Sequence, residues 1–254
     1  MIDELHSPVI DELHSFQPID YRQSVGSTQD EMRILARAGA PEYSLVLSET
    51  QTAGRGRRGK VWQAAPYSGL YFTLLLRPDL NFAAFALLPL LIGACVAKSI
   101  NLETGISTML KWSNDILSAD ARKFAGILLE SELSQKKRIA LVGIGINVRN
   151  QDFPAEFKAA ALEEFAPVHR RNLLTQILQT IQAEYPLFLE QPSHAITFWK
   201  AQPNFLGQAV QILEPNGTVS TGIAQDLDSS GGLIIQTATG SRLLYAGEVS
   251  LKRG

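Results

Sequence analysis

Three glycines and three arginines occupy six consecutive positions, Gly54-Arg55-Gly56-Arg57-Arg58-Gly59, shortly before Trp62. Glycines let backbone N–H groups approach a bound group closely, and guanidinium groups donate forked hydrogen bonds to phosphate or carboxylate oxygens. The hexapeptide therefore predicts a binding site for an anion. A solvated basic turn explains the hexapeptide alone equally well, so the choice depends on the rest of the chain.

The same glycines have the spacing of a dinucleotide-binding fingerprint and of most of a Walker A loop. Both motifs open a helix whose N-terminus receives the phosphate. Here the following segment, 62–69, contains Pro66 and ends at Gly69. In addition, Val61 follows Lys60 where a Walker A loop requires serine or threonine. Neither template fits this context.

A second cluster, Lys111-Trp112-Ser113-Asn114-Asp115, precedes Lys123 and Gly126 on the next predicted strand. Strand alternation would put Lys111 and Trp112 on opposite faces, with the amide and the carboxylate at the turn. An amide can hydrogen-bond a base, and a carboxylate can hold Mg²⁺. An ordinary polar hairpin is the alternative, and for this motif alone it is favoured.

A third cluster, Gly143-Ile144-Gly145-Ile146-Asn147, leaves one face of a predicted strand without side chains. Glycine weakens a strand, so two glycines on the same face indicate that some group packs flat against the backbone. That group is either a helix or a ligand, and the motif alone does not decide between them.

Composition restricts the class of protein. With 254 residues, 45% of them hydrophobic, the chain can bury a large core. A formal charge of -2 offers no bulk attraction to nucleic acid or to an anionic membrane. Cys95 is the single cysteine, and the four histidines lack the spacing of zinc ligands. The longest apolar run, 82–97, is too short for a membrane span, and the first residues do not resemble a signal peptide, so we expect a cytoplasmic protein.

Apolar periodicity and turn signals predict a mixed fold. Thr28 and Glu31 fit a capping box at the start of the first helix, and Gly39 is placed to end it. Further helices are predicted at 82–102, 171–189 and 195–201. Strands are predicted at 43–47, 69–77, 107–112, 116–117, 123–133 and 138–148. Strands that pair in sequence order favour antiparallel neighbours, so we expect an α+β fold with a mixed, largely antiparallel sheet and helices packed on it.

After Pro203 the pattern changes to five short β segments, 209–213, 218–224, 232–236, 243–245 and 248–251. Such a series predicts a small C-terminal β-barrel. At the other end, the sequence of residues 2–7 is repeated at 10–15 and indicates an N-terminal extension. The predicted organisation is an extension at 1–20, a main domain at 21–203 and a barrel domain at 204–254.

Several segments, in this order, resemble the motifs of biotin protein ligases. They are Ser27-Thr28-Gln29, Gln51, the glycine-arginine hexapeptide with Trp62, Lys111-Trp112-x-Asn114-Asp115, Arg122-Lys123-x-x-Gly126, Gly143-x-Gly145-Ile146-Asn147 and Gly247-Glu248-Val249-Ser250. Each motif alone is weak, but their agreement over residues 21–254 is specific. The resemblance is to the short form of the family, without an N-terminal DNA-binding domain, and it implies the fold shared by class II aminoacyl-tRNA synthetases and biotin ligases.

The resemblance implies a two-step reaction. Biotin and ATP, with Mg²⁺, give biotinyl-5′-AMP and pyrophosphate, and a lysine of the biotin carboxyl carrier protein of acetyl-CoA carboxylase then takes the biotinyl group. The implied partners are this carrier, biotin and ATP, without nucleic acid or membrane, and a homodimer is left open.

The resemblance also implies roles for individual residues in the catalytic main domain. The catalytic cations would be Arg55, Arg57 and Lys123. Biotin would contact Ser27, Thr28, Gln51, Gly54, Arg55, Lys123, Gly126, Gly143 and Gly145. ATP and the adenylate would contact Arg57, Arg58, Trp62, Lys111, Asn114 and Asn147. Asp115 would be the ligand of Mg²⁺. Ser113 is a departure, because the family commonly has proline there.

Two other functions compete with this interpretation. A lipoate ligase-like enzyme would share the fold and the adenylation chemistry, but the glycine-arginine hexapeptide and the Lys111-Trp112-x-Asn114-Asp115 motif argue against it. A non-catalytic carrier-binding protein on the same scaffold would be expected to have lost its cations, whereas Arg55, Arg57 and Lys123 are all present.

Overall fold

The computed structural model describes residues 16, 18–63, 65–134, 137–213, 217–245 and 248–251. The repeated segments at 2–7 and 10–15 lie outside these residues, and so does Gly247 of the last motif. The predicted domain limits near residues 20 and 204 stay predictions.

Seven strands form the main sheet. They are β1 Ile19–Arg22, β2 Leu45–Ser48, β3 Gly69–Leu76, β4 Thr108–Lys111, β5 Asp115–Ser118, β6 Lys123–Ser134 and β7 Lys137–Asn147. Their order across the sheet is β1-β2-β3-β7-β6-β5-β4, and every neighbouring pair except β1 with β2 is antiparallel. The predicted α+β fold with a mixed, largely antiparallel sheet is confirmed.

Helices cover both faces of this sheet. They are α1 Thr28–Arg37, α2 Phe82–Phe85, α3 Leu88–Thr104, α4 Arg170–Glu190 and α5 His194–Ala201. Successive residues of β3 therefore enter different cores. Leu75 packs in a cluster with Met32 of α1, whereas Leu74 belongs to the core that contains the buried side chains of α3 and α4. Burial on both faces explains why β3 is apolar along most of its length.

The longest apolar stretch of the chain forms α2 and α3. Pro89 lies in the first turn of α3, where its missing N–H leaves no helical hydrogen bond unmade, and Gly105 ends the helix with a φ of +71°. By length and composition the segment Phe82–Thr104 could cross a membrane, but 78% of its most apolar window is buried inside the protein. Cys95 is fully buried there, as expected for a core side chain.

The start of α1 differs from the prediction. Thr28 is the first helical residue, Ser27 is the N-cap, and the N-cap side chain makes no capping hydrogen bond. The Oγ1 atom of Thr28 instead donates to Gln51 Oε1 (3.1 Å) and accepts a hydrogen bond from Thr73 Oγ1 (2.9 Å). The predicted capping box is therefore wrong, because tertiary contacts occupy the hydroxyl that would have formed it.

Five further strands form a second sheet. They are β8 Ala209–Leu213, β9 Val219–Leu227, β10 Leu233–Thr237, β11 Gly240–Leu244 and β12 Glu248–Leu251. Their order is β11-β10-β9-β8-β12, and all pairs are antiparallel. The five strands were predicted, but within the described residues β11 and β12 do not pair, so backbone hydrogen bonds do not close a barrel. Trp112 Nε1 donates to Gly231 O (2.8 Å) and joins this sheet to the main domain.

Candidate active site

Two adjoining cavities lie where the start of α1, the glycine-arginine loop and strands β5 to β7 meet. The inner cavity, about 50 Å³ in volume, is lined by Ser27, Thr28, Gln29, Gln51, Arg55, Gly56, Arg57, Trp62, Asn114, Lys123, Gly126, Ile127, Leu128, Gly143, Ile144 and Gly145. The outer cleft, about 750 Å³, includes Arg57, Arg58, Trp62, Lys111, Asn114, Asp115, Lys123 and Asn147 in its lining. Every predicted site residue except Gly54 therefore lines one or both of them.

Four predicted residues line both cavities, namely Arg57, Trp62, Asn114 and Lys123. We call these four residues the shared wall. Two of them are cations, so positive charge is concentrated where a group in the inner cavity would meet a group in the outer cleft.

The glycine-arginine loop is a short hairpin with a 3₁₀ turn at Arg57–Gly59. Trp62 N donates to Gly54 O (2.9 Å), and Gly56 N donates to Lys60 O (2.7 Å). A Cβ atom at position 54 would lie 2.5 Å from Trp62 O, so the hairpin requires glycine there for its own closure. This explains why Gly54 lines neither cavity, and its predicted role in the close approach of biotin stays a prediction.

The side chain of Gln51 is fixed by the start of α1. Its Oε1 accepts hydrogen bonds from Thr28 N (2.9 Å) and Thr28 Oγ1 (3.1 Å). Both bonds use the amide oxygen, and the amide nitrogen makes no hydrogen bond to any described residue. Gln51 therefore offers a donor to the inner cavity.

Gln29 is a cavity residue that we did not assign to the site from the sequence. Its Nε2 donates to Leu128 O (2.9 Å) and Leu141 O (3.3 Å) on the β6–β7 hairpin. A Cβ atom at Gly143 would lie 2.8 Å from this nitrogen. The bare face predicted at Gly143 therefore accommodates Gln29. The available signal was its position directly after Ser27-Thr28 in the first motif.

Trp62 covers the other bare backbone positions. A Cβ atom at Gly145 would lie 2.5 Å from Trp62 Cε2, and one at Gly126 would lie 3.2 Å from Trp62 Cζ3. The Nζ atom of Lys123 lies 5.3 Å from the indole centroid, within the range of a cation–π interaction. The group packed flat against these two glycines is therefore a side chain of the same protein.

Asp115 lies between two lysines. Its Oδ1 is 2.6 Å from Lys123 Nζ, and its Oδ2 is 3.4 Å from Lys111 Nζ. Burial acts to raise the pKa of the Asp115 carboxyl, but the charges of Lys123 and Lys111 outweigh it and hold the pKa below its usual value. The cluster therefore carries two positive charges against one negative charge.

This arrangement bears on the predicted Mg²⁺ site. Both oxygens of Asp115 already face ammonium groups, and within the described residues no three His, Cys, Asp or Glu side chains are grouped to hold a metal ion. Mg²⁺ commonly binds through one or two carboxylates together with substrate phosphates. The residues present do not form a metal site by themselves, and the role of Asp115 stays a prediction.

Arg57 is held in the shared wall by the turn between β4 and β5. Its Nη1 donates to Asn114 Oδ1 (2.7 Å) and to Ser113 Oγ. Asn114 Nδ2 donates in turn to Ile127 O (3.0 Å). Burial, followed by the charge of Arg58, lowers the pKa of Arg57, but a guanidinium remains protonated in a protein. Asn114 thus orients a cation, and its predicted contact with adenine stays a prediction.

Among the described residues, Arg55 forms an ion pair with a carboxylate and Arg57 does not. Its Nη1 and Nη2 donate to the two carboxylate oxygens of Asp30, at 2.6 and 2.7 Å. The hydrogen bond from Arg55 lowers the pKa of Asp30, although burial opposes it. Arg55 therefore fastens the loop to α1, and its predicted contact with an anion stays a prediction.

The remaining predicted residues lie in the outer cleft. Arg58 is exposed beside Arg57. Asn147 Nδ2 donates to Lys123 O (3.1 Å) and so fixes the start of β6. The residues Val249, Ser250 and Leu251 of β12 also line this cleft, so the last motif contributes to the site from the second sheet.

Comparison with known proteins defines the class. The sequence model of the biotin/lipoate A/B protein ligase family matches residues 22–147, and that of the biotin protein ligase C-terminal domain matches residues 205–252. The bifunctional ligase/repressor BirA of Bacillus spizizenii is 33% identical over 246 residues, which cover 92% of this chain and 74% of that protein. The biotin--[acetyl-CoA-carboxylase] ligase of Mycobacterium tuberculosis is 28% identical over 92% of this chain and 89% of its own.

Solved structures agree with these relatives. The biotin protein ligase from Aquifex aeolicus in complex with biotin and ATP has a TM-score of 0.77 and 32% identity, covering 94% of this chain and 100% of that one. The fold is thus that of a protein-modifying ligase. The chain belongs to the biotin protein ligase family.

Proposed function

We propose that this enzyme activates biotin with ATP and transfers the biotinyl group to a lysine of a biotin carboxyl carrier protein. In the first step a carboxylate oxygen of biotin attacks the α-phosphorus of ATP, and the bond to the β-phosphate breaks as pyrophosphate leaves. In the second step the lysine amine attacks the acyl carbon, loses a proton, and AMP leaves. The observation that carries the proposal is the pair of cations in the shared wall.

The first step must bring two anions into contact. The carboxylate and the α-phosphate repel each other, and that repulsion is strong where water is excluded. Arg57 and Lys123 line both cavities and would therefore lie beside both reacting groups. Preorganised charges of this kind stabilise the transition state without reorganising during the reaction.

The two cavities suit two different substrates. The inner cavity presents neutral amides and hydroxyls beside the cations of its lining, which suit the ring system and the carboxylate of biotin. The outer cleft presents Arg57, Arg58, Lys111 and Lys123 and is much larger, which suits a nucleotide triphosphate. The Aquifex aeolicus ligase was solved in complex with biotin and ATP, which supports the choice of these two substrates.

Magnesium would enter as MgATP. The phosphates would supply most of its ligands, and Asp115, which lies next to two lysines in the cleft, would supply a protein carboxylate.

The carrier and the compartment are part of the same proposal. Relatives named biotin--[acetyl-CoA-carboxylase] ligase indicate the carrier domain of that carboxylase as the acceptor. A single buried cysteine is compatible with a reducing cytoplasm.

Pyrophosphate exchange tests the activation step. Purified enzyme is incubated with MgATP, labelled pyrophosphate and either biotin or lipoate. We expect exchange with biotin and none with lipoate, and addition of a carrier domain should then give a mass increase of one biotinyl group. Exchange with lipoate alone would move the assignment to the lipoate branch of the family. Carrier binding without exchange would favour the non-catalytic alternative.

A further inference from the structure

One arginine joins the two ends of the segment that carries the glycine-arginine loop. Arg170 is the first residue of α4. Its Nη1 donates to Glu49 Oε2 at 2.5 Å and to Gly69 O at 3.2 Å. Glu49 directly precedes segment 50–68, and Gly69 directly follows it. We call the pair Arg170–Glu49 the base clamp, because a single guanidinium ties both ends of this segment together.

The base clamp is withdrawn from water. Both of its side chains are 0% exposed. Tyr21 Oη donates to Oε1, the second carboxylate oxygen of Glu49 (2.9 Å), and Tyr67 N donates to Glu49 O (3.2 Å). The ends of segment 50–68 are therefore held by buried hydrogen bonds for which solvent does not compete.

Stability alone does not explain an ion pair at this place. Two charges lose their hydration when they are buried, and apolar residues of similar volume often stabilise a fold equally well or better. The helix does not benefit either, because a cation at a helix N-terminus opposes the helix dipole. A role in placing segment 50–68 accounts for the arginine.

The middle of the segment carries groups that would face the substrates. Arg57 and Trp62 of the shared wall both belong to it. Arg57 is held by Ser113 and Asn114, and Trp62 packs on Gly145. These contacts lie at the cavities, where a ligand would compete for them. Arg170 and Glu49 line neither cavity, so a ligand there would leave the base clamp in place.

We propose that the base clamp positions Arg57 and Trp62 for adenylate formation by fixing both ends of segment 50–68. This inference rests on the proposed function, because it takes the attack of biotin on ATP as the step that is served. Arg170 and Glu49 touch neither substrate and act through the segment. A misplacement of about 1 Å can slow a reaction by roughly 10²-fold, so a loosened clamp slows adenylation even in folded protein.

A neutral version of the clamp tests the proposal. The double variant Glu49→Gln/Arg170→Met removes both charges together, so that no unpaired charge stays buried, and the glutamine keeps an acceptor for Tyr21. Tyr185→Phe is the matched control. Tyr185 is a fully buried residue of the same helix, and its hydroxyl donates to another glutamate, Glu42 (3.0 Å), which precedes β2 whereas Glu49 follows it.

Two rates are measured under conditions in which each protein is folded, as established by urea unfolding. The first is single-turnover adenylate formation at saturating biotin and MgATP. The second is trypsin cleavage after Arg58 or Lys60, which are exposed in the segment, relative to cleavage elsewhere in the chain. Cleavage of a folded protein reports local opening, and cleavage throughout the chain reports global unfolding.

We expect the double variant to form the adenylate about 10- to 100-fold more slowly and to raise the relative cleavage of the segment about 10-fold. Tyr185→Phe should keep the wild-type value of both. A folded double variant with the wild-type rate of adenylate formation would overturn the proposal. A rise in cleavage by the same factor throughout the chain would also overturn it, because the pair would then serve only global stability.

A milder variant keeps the test decisive if the double variant does not fold. Tyr21→Phe removes one hydrogen bond from the same carboxylate, and a wild-type rate of adenylate formation in that variant overturns the proposal. Pyrophosphate exchange by the wild type separates the two proposals. Exchange with biotin, together with wild-type rates in the variants, rejects the clamp and leaves the proposed function intact. Absent exchange rejects the function, and the cleavage ratio, which needs no substrate, then decides whether the clamp holds the segment.

Discussion

The inner cavity and the outer cleft differ in the interactions that they offer to a ligand. In the inner cavity, the polar groups of Thr28, Gln51 and Gln29 are fixed by hydrogen bonds within the protein. They cannot reorient toward a ligand whose donors and acceptors do not match them. In the outer cleft, recognition depends on exposed and half-buried cations, which act over longer distances and are screened by salt. We therefore expect the inner cavity to select the substrate by its hydrogen-bonding groups. The outer cleft and the shared wall would select it by its negative charge.

The strongest test of this comparison removes a cation from the shared wall. We expect Lys123→Ala to lower the rate of adenylate formation by about 10²- to 10³-fold, because a preorganised charge at the transition state is lost. Single-turnover measurement of the adenylate gives this rate.

Lys98 provides a matched control for Lys123. Its Nζ pairs with Glu184 (3.1 Å) and lies 5.1 Å from the ring of Phe198, so it has the same two kinds of contact but lines neither cavity. Lys98→Ala should keep the wild-type rate. A near-normal rate in Lys123→Ala would remove that lysine from the mechanism.

The second test adds a methyl group at Gly145 or at Gly143 and compares the effects of the two variants on each substrate. Gly145→Ala places a Cβ 2.5 Å from the Trp62 ring and should displace the shared wall, raising KM for both substrates by about 10-fold or more. Gly143→Ala places a Cβ 2.8 Å from Gln29 Nε2 and should raise KM for biotin alone. Steady-state kinetics with each substrate varied in turn checks both. If Gly145→Ala changed only one KM, Trp62 would not be a common wall.

The third test concerns the rim of the outer cleft. Arg58 is exposed, so Arg58→Ala should raise KM for ATP only a few-fold and leave KM for biotin unchanged. The difference from wild type should shrink as salt is added, because exposed charges are screened. An effect that persists undiminished in high salt would mean that Arg58 makes a desolvated contact.

The smallest expected effect concerns the pair Asp30–Arg55, which joins the loop to α1. The pair is partly exposed, so Asp30→Asn should lower the free energy of unfolding by about 1 kcal/mol or less at pH 7. The pKa of Asp30 is lower in the folded state than in the unfolded state. Its contribution is therefore present above the unfolded pKa, about 3.9, and is lost as the pH falls through the folded pKa.

Urea unfolding at pH 7 and pH 3 measures this effect. The difference between the two proteins should be largest at pH 7 and smaller at pH 3, which lies below the unfolded pKa of about 3.9. A biotin affinity that rises in Asp30→Asn would show that Asp30 restrains Arg55 from binding the ligand, rather than fastening the loop.

Local patterns were sufficient to predict much of this molecule. The bounds of β6 and β7 were predicted to within one residue, because the turn residues and the long apolar alternation indicate the same hairpin. The helix predicted at 82–102 likewise corresponds to α2 and α3. These patterns span a few residues, so they can be recognised in the sequence without knowledge of the tertiary structure.

Contacts between distant residues were not predictable in the same way. The bare face at Gly143 and Gly145 indicated a packed group, but only the fold shows that Gln29 and Trp62 supply it. The pairing of Arg55 with Asp30 spans 25 positions and leaves no trace in either local sequence. The predicted cap at Thr28 failed for the same reason, because Gln51 and Thr73 take its hydroxyl.

The lining of the outer cleft has a consequence for biosynthesis. All residues that line the inner cavity fall between positions 27 and 145, whereas the cleft also needs Val249, Ser250 and Leu251. At about 5 to 20 residues per second, a ribosome would add residues 249–251 roughly 5 to 20 seconds after it has passed the last residue of the inner cavity. The outer cleft can therefore be completed only when every residue that lines the inner cavity already exists.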